Sequence, residues 1–117
     1  MTAIFYVLSG LLIVVLIAAG GAKLVGTARM RQGADRFGIP WPWYRLIGVL
    51  EVAAVVGIVI GFGWRPLGLA AGIGTGALML GALSFHIRVR DPMPDMGGAV
   101  LTLLFAIGYL VTGFTAA

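Results

Sequence analysis

The sequence predicts an all-α fold, a four-helix transmembrane bundle, and three observations predict it. The chain is 61% hydrophobic and only 10% charged, against roughly half apolar and about a quarter charged in soluble domains. Four apolar stretches each approach or exceed the about 20 residues a helix needs to cross about 30 Å of hydrocarbon. Eight Lys and Arg, four Asp and Glu and one His are too few to coat a water-facing surface, so the apolar faces are expected to meet lipid.

The predicted spans are 3–25, 44–61, 66–86 and 97–115, forming one transmembrane domain over 1–117. The first ends in small residues, Ala18 to Ala22, as a cleaved signal peptide does. No Lys or Arg precedes it, however, the run is longer than a signal core, and three more spans follow. Residues 26–43 are the one sizeable polar segment and are expected to lie along the membrane surface. Arg29, Arg31 and Arg36 suit headgroups, Trp41, Trp43 and Tyr44 suit the aromatic belt, and a helical turn is expected over 29–37. Pro40 and Pro42 are expected to stop that turn. Phe62 to Arg65 make a tight turn into Pro66, so spans two and three are antiparallel neighbours. Residues 87–96, with Arg88, Arg90, Asp91, Pro92, Pro94 and Asp95, are expected to be a short polar loop that is not helical in its middle.

Helices in lipid associate by close packing, and small residues permit it. Gly68, Gly72 and Gly76 recur every four residues on span three, and Gly57 and Gly61 repeat the spacing on span two. These ridges are read as packing within the bundle, with a dimer interface as the alternative.

An even number of crossings places both termini and Arg65 on one side of the membrane. Lys23, Arg29, Arg31, Arg36, Arg45, Arg88 and Arg90 fall on the other, which predicts cytoplasmic first and third loops and termini outside. The net charge of +4 is explained by this asymmetry. It lacks the like-charged runs and interleaved aromatics of nucleic-acid binders, so no nucleic-acid partner is expected.

Within the spans, Lys23, Glu51 and His86 approach the same leaflet, Glu51 roughly 10 Å deep. Gly20, Gly48 and Ala82 lie three or four residues before them on the same helical faces, a spacing expected to leave a notch. Ionisable side chains inside a membrane are either held in structural pairs or mark a ligand or proton site, and both readings apply here. No catalytic set is predicted: Ser9, Ser84 and the threonines cannot be joined to a single His as a nucleophile and base. One His and scattered carboxylates make no metal site, and the absence of cysteine removes disulfides, thiolate metal sites and Cys-x-x-Cys quinone reductases.

Four short motifs, in this order, carry a resemblance: Gly21-Ala22-Lys23-Leu24, Phe37-Gly38-Ile39-Pro40, Gly48-Val49-Leu50-Glu51, and Gly81-Ala82 followed by His86-Ile87-Arg88. The chain resembles the DoxX-like family of small bacterial four-helix membrane proteins over nearly its whole length. The resemblance implies a location in the bacterial cytoplasmic (inner) membrane. It also implies a role as a small subunit or accessory protein of a membrane redox complex, linked to quinone. Lys23, Glu51, His86 and Arg88 fall on the family pattern, which brings no catalytic role with it. With no cysteine, electron transfer would need a partner subunit or a bound quinone as cofactor. The competing expectation is a carrier or binder of a small apolar or anionic molecule that uses the Lys23, Glu51 and His86 notch; autonomous catalysis ranks third. Expected partners are the bilayer and either other membrane subunits or further copies of the chain.

Overall fold

The computed structural model describes residues 3–115, with the side chains of 93–95 excepted. Five helices follow in order, α1 (Ala3–Val25), α2 (Ala28–Phe37), α3 (Trp41–Gly61), α4 (Arg65–Arg88) and α5 (Met93–Thr115), with no strand among the described residues. Helices α1, α3, α4 and α5 are long and apolar enough to cross a membrane. They close into a ring in which α1 packs on α3 and α5, and α4 packs on α3 and α5. Outward-facing Val14, Ile17, Val56, Ile73 and Val111 are all exposed, as side chains that meet lipid must be.

Three span boundaries differ from the sequence reading by two residues or more, each for a local reason. Helix α3 starts at Trp41, because Pro42 falls in its first turn, where a missing N–H costs nothing. Pro40 is its N-cap, so the two prolines, expected to stop the turn before them, instead start α3, α2 having already ended at Phe37. Helix α4 runs on past His86 to Arg88, and α5 begins at Met93, four residues before the expected start. The loop expected over 87–96 therefore shrinks to a turn, in which Arg90 takes a left-handed φ of 58°. The expectation for Asp95 as a loop charge concerns a side chain outside the described residues.

The polar segment between spans one and two folds as α2. Thr27 caps it by accepting from the Met30 N–H, and Gly38 ends it with φ 70° and its N–H turned back to Ala34 and Asp35. Ala34 is 2% exposed, whereas Arg29, Arg31, Asp35 and Arg36 face outward. The helix thus lies with one small-residue face on the bundle.

The glycine ridges are used selectively. A Cβ on Gly68 would strike the Tyr109 hydroxyl and the backbone of Gly61, and one on Gly72 would come within 2.8 Å of the Tyr109 ring. Gly57 faces Ala71. Gly76 has open space where a Cβ would go, so it is not part of the packed ridge. Around Tyr109, the rings of Phe5, Tyr6 and Phe62 stack or meet edge to face and close the end of the bundle near the α3–α4 turn. Leu12, Leu16, Val55, Ile58 and Ala106 fill the adjoining core.

Candidate functional site

The other half of the bundle is not filled. A cavity of about 790 Å³ opens there, walled by all four long helices and roofed by α2. Its volume lies within the range of roughly 300–1,000 Å³ of small-molecule sites. Small and aliphatic side chains, among them Ala18, Ala19, Ile47, Leu78 and Ala82, make most of its wall. Small residues on α1 and α4 leave the space that large residues occupy in the Leu12–Ile58 core.

Lys23 and Glu51 meet on this wall, with Nζ 2.9 Å from Oε1. The glycines beside them do not leave the expected notch. A Cβ on Gly20 would lie 3.0 Å from the Gly48 carbonyl, and one on Gly48 would lie 2.7 Å from Lys23 Cβ. The glycines instead let α1 and α3 touch backbone to backbone, and that contact sets the pair at one depth. Lys23 is 9% exposed and Glu51 2%, so both charges are held out of water and stabilised chiefly by each other. The ammonium also lies 5.4 Å from the centroid of the Tyr44 ring, on its face. It approaches Oε1, an oxygen closed off from solvent, at ion-pair distance. The carboxylate has acceptor capacity that its partner does not use.

His86 lines the same cavity but turns to a different partner. Its Nδ1 lies 2.5 Å from Asp91 Oδ2, and the same oxygen lies 3.0 Å from Arg36 Nη2. The turn makes this possible: with Arg90 left-handed, the Asp91 N–H reaches the His86 carbonyl at 2.9 Å and the carboxylate folds back under α4. Asp91 and Arg36 are the site residues that the sequence reading did not single out. A carboxylate five residues after a helix-ending His, followed by Pro92, is the signal that was available.

Arg88 stands apart. It is exposed, outside the cavity wall, with its guanidinium 5.1 Å from the Phe85 ring centroid. Phe37, at the end of α2, packs the roof onto the bundle through its ring. Its ring meets His86 edge-on at 4.9 Å, Phe85 at 5.9 Å and Tyr44 at 6.4 Å. Tyr44 also supports α2 from below, pointing its hydroxyl at Met30 Sδ and lying under Gly33. Among the described residues no cluster of His, Asp and Glu could hold a metal ion.

The arrangement is therefore a mostly apolar chamber in a membrane bundle, with one buried ion pair on its wall and an amphipathic helix tied across its mouth. Comparison with curated proteins and with solved structures finds no match. A model of the DoxX-like family matches residues 7–111, a stretch that includes every residue of this site, and the chain belongs to the DoxX-like family.

Proposed function

We propose that this protein binds a small amphiphile within the membrane, holding the apolar body in the chamber beneath α2 and the polar head at Lys23 and Glu51. The observation that carries the reading is the combination of an open volume of about 790 Å³ with a buried ion pair on its wall. A pair that served only to join α1 and α3 would need no open space beside it. Lys23 is already neutralised by Glu51, which favours an apolar molecule with a polar head over a simple anion.

The test is isolation from native membranes in mild detergent followed by mass spectrometry. A discrete small molecule should remain with the protein and be lost on Ala82→Trp, which fills the chamber from α4. A wild-type protein that carries only bulk lipid, and the same lipid as the filled variant, would overturn the reading.

A second reading is favoured by the Lys23 donor beside the Tyr44 ring face. A quinone fits these residues, with a carbonyl accepting from the ammonium and the ring against aromatic side chains, and it would supply the two-electron chemistry. The chain would then be a subunit that binds and orients quinone for a redox partner. A redox protein and a quinone recovered together in the same isolation would favour this reading over a free-standing binder. In either case we propose a site in the bacterial cytoplasmic membrane, with α2 and the α4–α5 turn toward the cytoplasm; the basic excess on that side supports the orientation.

A further inference from the structure

We infer that the head group recognised in the chamber is a neutral hydroxyl, which bridges Lys23 and Glu51; this rests on the binding function proposed above.

The argument is one of complementarity. A buried ammonium 2.9 Å from a buried carboxylate presents donors and acceptors side by side, with no net charge. An anionic head would gain from Lys23 but be repelled by Glu51 at nearly the same distance, and a cationic head would meet the reverse. Neither repulsion is screened, because Glu51 is 2% exposed and Lys23 9%. A hydroxyl has one O–H donor and two acceptor lone pairs. It can donate to the carboxylate and accept from the ammonium without disturbing the pair.

Two further observations point the same way. A carboxylate has about four acceptor positions and the one ammonium beside Glu51 does not use them all, so a further O–H donor is accommodated in a place where an unmet acceptor is costly. The other charged groups near the chamber do not compete for the head. Arg29, Arg36 and His86 line the chamber's roof end, but Arg36 and His86 are both directed to Asp91, and Arg29 is exposed on α2. The aliphatic wall supplied by Val15, Ala19, Leu78 and Ala82 suits a saturated or weakly unsaturated body. The ligand class is thus a medium-sized aliphatic alcohol or a lipid-derived molecule with one free hydroxyl at its polar end.

The experiment uses the full chain in detergent and three photo-crosslinking probes with the same diazirine-bearing alkyl body, ending in a hydroxyl, a sulfonate or a primary amine. Crosslinked peptides locate each probe. The alcohol should label the α1 and α4 segments that wall the chamber at least about tenfold more than either charged probe, since the cost of setting like charges side by side exceeds what a tenfold ratio requires. Glu51→Gln leaves Lys23 unbalanced and should switch the preference to the sulfonate; Lys23→Met should switch it to the amine. A misfolded variant loses all three probes together, so a switch cannot arise from unfolding. Preference of the wild type for the sulfonate or amine, or an order unchanged in both variants, would overturn the hydroxyl assignment while leaving the chamber a binding site. If no probe labels the chamber in the wild type, the binding function itself fails.

Discussion

Arg36 and Asp91 are 55 residues apart in the chain and 3.0 Å apart in space, and this contact ties the outer end of α2 to the turn between α4 and α5. Asp91 is only 5% exposed at its side chain, whereas Arg36 is 46% exposed. The pair is thus anchored on the bundle side and free to part on the α2 side. His86 holds the same carboxylate oxygen from within, so the acceptor is in place whether or not Arg36 is bound.

The roof is expected to loosen when this contact is removed. A partly exposed pair of this kind contributes at most about 1 kcal/mol, so Asp91→Asn should raise the open population of α2 by up to about fivefold. The chain lacks cysteine, and Ala34, 2% exposed beneath α2, offers a reporter. In an Ala34→Cys background, Asp91→Asn should speed thiol labelling by up to that factor. An unchanged rate would mean that Met30, Gly33 and Phe37 hold α2 down by packing alone.

The bundle and the common depth of Lys23 and Glu51 were legible in the sequence because both follow from span length and direction. Apolar length fixes where each span lies, and alternating direction fixes which charges arrive at the same level. The shape of the site was not legible. Gly20 and Gly48 were expected to open a notch, but small residues on facing helices draw the backbones together and close it; the chamber forms where Ala77, Ala82 and Ala99 line a space that no facing backbone fills. His86 was expected near Glu51, and its actual partner depends on a left-handed residue, Arg90, whose conformation no periodicity announces.

The selective use of the glycine ridge gives a sharper packing test than its periodicity does. Gly72→Leu forces a side chain into the Tyr109 and Leu110 contact, and overpacking of this kind costs about 1–3 kcal/mol. Gly76→Leu meets open space and should be tolerated. Thermal unfolding in mild detergent should show a clear loss for the first and little change for the second. Equal losses would place Gly76 against a neighbour that the bundle does not show.

Orientation can be read with two single cysteines on exposed positions at opposite ends. Asp35 is on the outer face of α2, and Gly63 is in the α3–α4 turn. The basic excess beside α2 predicts that Gly63→Cys reacts with an impermeant thiol reagent in intact cells, and that Asp35→Cys reacts only after permeabilisation. The reverse pattern would invert the protein and put the roof of the chamber outside.

The buried pair makes the strongest energetic prediction. Removing one partner leaves an uncompensated charge among apolar walls, at a cost of about 3–5 kcal/mol, so Lys23→Met alone should lower the unfolding temperature sharply. Replacing both, Lys23→Met with Glu51→Gln, removes the stranded charge and should recover most of that loss, since a neutral substitute of similar volume often matches a buried ion pair. The coupling between the two sites should then be the larger part of either single effect, as expected for residues in direct contact. Stability restored by the double change together with loss of the co-purified molecule would separate the two roles of the pair, joining α1 to α3 and reading the head group. Stability and bound molecule both restored would leave the pair a structural clamp and move recognition to the roof, where Phe37, Tyr44 and His86 meet.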